Sequence, residues 1–165
     1  MLGKKDWLLT AYLRQNSRMP LTILARKTGI PISTIFDHLR ACDGRLYNKY
    51  IALLNFSILG FGTKVHLLLR VPKPVRERVQ EFLFKHWNVN SLYKVNNGYD
   101  FLAEGVFRHV QELETFLDKL EDEYGVKGIE VHYIVDDLKR EAFLSDPQVI
   151  DYVMNERRLV PEHKV

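Results

Sequence analysis

Between Leu21 and Arg40 the chain carries two short helical periods joined at Gly29, in a stretch that holds no glutamate. Gly29 can take the positive φ that ends a helix, and Thr22 and Ser33 can each accept backbone N–H bonds where a helix begins. Leu24, Ile30, Ile35 and Leu39 then form one buried seam, with the small Ala25 where two helices cross closely. Ser33, Thr34, Asp37 and Arg40 stay on the outside of the second helix. Two helices so joined make a helix-turn-helix, which must pack behind its seam and can present its outer face to a groove of duplex DNA.

The charge pattern agrees. Residues 1–62 carry nine Lys and Arg against three Asp, a net of +6, whereas the rest of the chain holds 15 basic and 18 acidic side chains, a net of −3. The whole-chain value of +3 therefore hides a basic head on a mildly acidic body, the asymmetry expected when one part meets phosphate and the other does not. A 46% apolar content over 165 residues is enough to bury a core. The single cysteine, Cys42, falls on the buried side of the second helix, so no intramolecular disulfide can form and a reducing cytoplasm is the expected setting. No segment approaches the roughly 18 apolar residues that a bilayer span needs, so no membrane contact is expected.

Asp6 is expected to cap a first helix running to about Gln15, and the run from Leu46 to Leu54 reads as extended pieces forming a β wing. Gly60 and Gly62 mark a hinge. Beyond it, Val65, Leu67, Leu69 and Val71 alternate with His66, Leu68 and Arg70, as in a strand covered on both faces. A helix follows over 74–86, then strands over 89–95 and 100–107 joined at Asn96-Asn97-Gly98, a helix over 110–124 and a last strand over 129–135. The order β-α-β-β-α-β makes a ferredoxin-like sandwich with helices on one face. Its open face would set His66, Leu68 and Arg70 beside Glu130, His132 and Ile134, too apolar to stay wet, so a second subunit is expected to cover it. Asp146 and Pro147 open a further helix running to about Arg158. The fold class is thus α+β: a winged helix-turn-helix over 1–60, a ferredoxin-like domain over 61–143 and a helical extension over 144–165.

Asn16-Ser17-Arg18, Leu24-Ala25, Gly29-Ile30, Leu59-Gly60-Phe61 and the run from Asn97 to Leu102 occur here in the order of a known architecture. Over residues 5–143 the chain resembles the Lrp/AsnC, or leucine-responsive regulatory protein, family of transcription regulators. The resemblance implies a homodimer, in some members a tetramer or octamer, that binds double-stranded promoter DNA and responds to a small effector such as an amino acid. It also implies an effector site near Asn97, Gly98, Tyr99 and Asp100. There Asp100 could accept an ammonium and Gly98 could let backbone N–H groups approach a carboxylate; equally, Asn97-Gly98 suits any tight hairpin and Asp100 could only cap the turn.

On the second helix of the motif, Arg40 is the strongest donor to a base or phosphate, Ser33 and Thr34 sit at the end that enters the groove, and Phe36 could touch a thymine methyl or pack against the wing. Asp37 departs from the basic or small polar residues that the resemblance implies and repels phosphate unless it accepts from a cytosine amino group. Arg18, Arg26, Lys27, Arg45 and Lys49 remain for the DNA backbone. Two alternatives stand beside this reading. One is an enzyme similar to the siroheme decarboxylases, although the hairpin here reads Gly98-Tyr99-Asp100 without the histidine-tyrosine-asparagine stretch such enzymes imply; the other is a module that pairs with a different protein and does not bind DNA. The six histidines show no metal-ligand spacing, and no catalytic residue or cofactor is expected.

Overall fold

The computed structural model describes residues 3–157, and the chain forms two compact units: residues up to 53 with those from 138 onward, and residues 54–137. The expected divisions lay at 60 and 143. The segment after Leu138 goes with the first unit because Arg14 holds it: the Arg14 guanidinium donates to the carbonyls of Phe143 and Glu141 at 2.9 and 2.8 Å.

The first unit contains helices α1 (Lys4–Gln15), α2 (Leu21–Thr28), α3 (Ile32–Cys42) and the C-terminal α6 (Val149–Arg157). Leu9, Leu13, Leu24, Ile30 and Ile35 form its buried core, with Ala25, Leu39 and Tyr47 packed against it. Gly29 takes φ 69° and its N–H closes α2 on the Ala25 carbonyl at 2.8 Å, as the sequence requires. The starts differ from expectation. Pro20 and Pro31, not Thr22 and Ser33, occupy the cap positions, with no side-chain cap bond at either helix. Proline already holds the φ that a cap needs, and its carbonyl accepts the first helical bonds, so Thr22 and Ser33 lie one step inside their helices. Asp6 likewise lies inside α1 and reaches back to accept from the Gly3 N–H at 2.7 Å.

The expected wing is not formed. Residues 48–55 contain no strand, and the approach of Asp43 to Tyr47 is an isolated bridge. Tyr50, Ile51, Leu53 and Leu54 are about half exposed, because no second strand among the described residues pairs with them.

The second unit holds β1 (Thr63–Arg70), α4 (Arg76–Lys85), β2 (Val89–Lys94), β3 (Phe101–Phe107), α5 (Val110–Tyr124) and β4 (Gly128–Tyr133), in the expected β-α-β-β-α-β order. The antiparallel sheet runs β2-β3-β1-β4. Val65, Leu67, Leu69 and Val71 turn to one face and pack with Phe101, Ala103 and Phe107 under Val79, Leu83, Leu113, Phe116 and Leu120 of the two helices. The opposite face pairs His66 with His132 and Leu68 with Glu130, the adjacency expected of neighbouring first and last strands.

Candidate nucleic-acid interface and hairpin cluster

At about 100° per residue, α3 turns Ile35, Leu39 and Cys42 inward and leaves Ser33, Thr34, Phe36, Asp37 and Arg40 exposed. Phe36 is 55% exposed, since no wing stands beside it to cover the ring. What sets the angle of α3 is a polar chain on its inner flank. His38 Nδ1 lies 2.9 Å from the Asp6 carboxylate, His38 Nε2 lies 3.4 Å from the Tyr47 hydroxyl, and that hydroxyl lies 3.0 Å from Thr10 Oγ1. These bonds tie the exposed helix to α1 and to the loop behind it. Burial pushes the Tyr47 phenol up to about 12, although its bond with Thr10 works the other way. Burial likewise raises the Cys42 thiol, which leaves it a weak nucleophile in a packing position.

Arg18, Arg26, Lys27, Arg45 and Lys49 are all exposed on the same unit. Lys27 lies over the Tyr12 ring with its Nζ 5.4 Å from the centroid. Such heads stay hydrated and can exchange water for phosphate at little cost.

In the second unit, Asn97 and Gly98 take φ 63° and 90°, the left-handed pair that a tight hairpin turn needs. Beyond the turn Asp100 is already engaged: its carboxylate accepts from the Val71 N–H at 2.7 Å and pairs with Arg76 at 2.5 Å. An incoming ammonium would have to compete with Arg76 for it. Tyr99 is placed differently. Its hydroxyl donates to Glu130 and accepts from Arg70, whose guanidinium lies 4.6 Å from the centre of the Tyr99 ring. The bond from Tyr99 holds the Glu130 carboxyl below its ordinary value, helped by Arg70 and His132. Beside this cluster Arg70, Asp100, Lys127 and Gly128 line a shallow depression of about 530 Å³. Arg70 and Glu130 belong to this cluster only through folding, because they lie on strands far from the hairpin in sequence.

The open sheet face is more polar than expected. Lys64 bridges Glu104 and Asp137 at 3.1 and 2.7 Å, and Glu104 also accepts from Asn90 and Ser91, both at 3.1 Å. Leu68, Leu102 and the exposed Tyr93 supply the apolar part. Among the described residues no group of three or more His, Cys, Asp and Glu is placed to hold a metal ion, and no helix is long and apolar enough to cross a membrane.

Residues 64–143 match the Lrp/AsnC ligand binding domain. An uncharacterized HTH-type transcriptional regulator of Pyrococcus horikoshii is 30% identical over 123 residues, covering 72% of this chain and 79% of that protein. The HTH-type transcriptional regulator FL11 of Pyrococcus furiosus is 26% identical over 129 residues, covering 78% of this chain and 85% of its own. Among solved structures, the transcriptional regulator NMB0573 of Neisseria meningitidis, in complex with L-Met, shares the fold at a TM-score of 0.79 and 21% identity, covering 85% of this chain and 94% of that one.

Proposed function

The chain belongs to the Lrp/AsnC family of transcriptional regulators, and from that premise we propose that it reads duplex DNA through α3, works as a dimer joined through its sheet-bearing unit, and answers to an amino acid or similar small effector. The observation that carries the reading is the division of α3 itself: Ile35 and Cys42 are buried and His38 is tied to Asp6, while Ser33, Thr34, Phe36, Asp37 and Arg40 face outward. A helix held so firmly from behind can enter the major groove as a rigid body.

In this account the N-terminal end of α3 leads. Its first amides have no intrahelical acceptor and can donate to phosphate, Arg40 donates to guanine or phosphate, and Phe36 meets a thymine methyl. Asp37 faces a cytosine amino group and repels other bases at that position. Arg18, Arg26, Lys27, Arg45 and Lys49 contact the backbone and give binding its salt dependence.

The effector reading is supported by the L-Met complex of the Neisseria regulator and by the hairpin chemistry. Arg70 and Lys127 line the depression and offer cationic donors to a carboxylate. Dimerisation is supported by the open face, where Leu68, Leu102 and Tyr93 would gain from a covering copy while Glu104 is already paired with Lys64. The reading is of a cytoplasmic regulator without a catalytic step.

Selection of bound duplexes from a random pool, with and without each amino acid, tests it. Recovery of a two-fold related site, with enrichment altered by at least one amino acid, is expected. Recovery of sequences no different from the starting pool would overturn the DNA reading.

A further inference from the structure

The depression beside the hairpin lies within the sheet-bearing unit, and its charged lining residues are Arg70, Asp100 and Lys127. Asp100 is fully engaged. One carboxylate oxygen accepts from the Val71 N–H at 2.7 Å and the other meets the Arg76 guanidinium at 2.5 Å, so the fold itself neutralises that charge. Arg70 and Lys127 therefore leave the depression with an excess of positive charge. Its apolar side chains are Val71, already buried to 5% exposure, and Pro72, so an apolar ligand tail would find little surface to cover.

Arg70 is held ready for a planar anion. It ends β1 opposite Gly128, the first residue of β4, where an added Cβ would lie 2.9 Å from the Arg70 Cβ and 3.2 Å from its Cδ. The bare Gly128 thus lets the arginine stem lie across the neighbouring strand. From there the guanidinium lies 4.6 Å from the centre of the Tyr99 ring and donates to the Tyr99 hydroxyl at 3.1 Å. Glu130 lies 3.8 Å away, beyond hydrogen-bond reach, and accepts from Tyr99 instead. A guanidinium carries several further N–H donors, so enough remain for both oxygens of a carboxylate. Lys127 follows the left-handed Gly125 (φ 66°) and the buried Val126, a turn that brings its exposed side chain to the same rim, with no ion pair among the described residues. Two positive heads on one rim repel each other until an anion joins them.

We propose that the effector of this chain is a small dicarboxylate without an ammonium group, bound in this depression with one carboxylate forked on Arg70 and the other on Lys127. The inference rests on the effector reading and deepens it by naming the ligand class. A second carboxylate gains from Lys127, whereas the ammonium of a neutral amino acid would meet two cations and no unengaged carboxylate among the lining residues. Selectivity thus comes from charge, and the hydrocarbon between the two carboxylates contributes little.

Calorimetric titration of the full chain with glutarate, butyrate and methionine tests this, glutarate being a dianion near neutral pH. Glutarate should bind at least about tenfold more tightly than either of the others. Arg70→Gln and Lys127→Gln should each weaken glutarate by about tenfold with thermal melts unchanged, and Gly128→Ala should weaken it by a smaller factor through Arg70. Lys127→Glu should reverse the order, so that methionine binds more tightly than glutarate. Butyrate or methionine matching glutarate in the unaltered chain would overturn the ligand class and leave the effector reading intact. Equal glutarate affinity in the unaltered chain and both glutamine variants would put the ligand elsewhere and overturn this site. Binding of none of the three would overturn the class, and the duplex selection with each amino acid then decides the effector reading by itself.

Discussion

The sheet-bearing unit and the reader unit hold themselves together by different means. The first buries thirteen apolar side chains in one continuous core, while the reader's central core has five among the described residues and gains its definition from directed bonds: Asp6 to His38, His38 to Tyr47, Tyr47 to Thr10, and Arg14 to the carbonyls of Glu141 and Phe143. A large core tolerates the loss of a polar contact. A small one does not, because each directed bond is a larger share of what fixes its geometry. The part that must present a surface accurately is thus the part most easily loosened.

The sharpest way to break this comparison is in the larger core. Phe101 is buried on β3 opposite Leu69, and Phe101→Ala should cost about 3–5 kcal/mol in denaturant melts. The two tryptophans are placed to report separately, Trp7 on α1 and Trp87 beside α4. The loss should therefore appear in Trp87 fluorescence of a Trp7→Phe background and leave the reader signal nearly unmoved.

A smaller effect is expected from Asp6→Ala, which removes both the Gly3 cap and the partner of His38. It should cost about 1–3 kcal/mol, read from Trp7 in a Trp87→Phe background. A loss shared equally by both signals would show that the units do not differ in the way described.

The smallest effect separates the units by pH. Burial opposes the charge on Glu104, but bonds from Asn90, Lys64 and Ser91 outweigh it and hold the carboxyl below its ordinary value of 4.5. Its folded-state value is depressed, so its stabilisation is present above pH 4.5 and is lost as pH falls through the lower folded value. Tyr47 runs the other way. Its value is raised from 10.0 to about 12, so its contribution is complete below pH 10 and is lost as pH climbs toward 12. Acid should loosen the sheet-bearing unit first and alkali the reader. Glu104→Gln and Tyr47→Phe should each blunt its own arm, as followed by the two tryptophan signals.

Much of this was legible in the sequence. Periodicity revealed the seam of Leu24, Ile30, Ile35 and Leu39 and the alternation in β1, because burial on one face is a local pattern in the chain. Topology then brought His66 beside His132. The caps were misread because Thr22 and Ser33 are good capping residues, yet Pro20 and Pro31 already supply the required backbone angle. The wing is absent because the apolar residues from Tyr50 to Leu54 look like a strand but pair with no other strand among the described residues. The Asp6, His38 and Tyr47 chain, the engagement of Asp100 by Arg76, and the docking of the C-terminal segment on α1 all join residues distant in sequence. No local pattern carries such pairings.

Binding of a selected duplex to the unaltered chain and to Arg40→Ala, followed by fluorescence anisotropy at two salt concentrations, tests the central claim most directly. Loss of about 1–3 kcal/mol in the variant, with melts unchanged and affinity of both proteins falling as salt rises, is the result this account gives. Equal affinity of the two proteins for that duplex would contradict it, because α3 would then not be the surface that reads DNA.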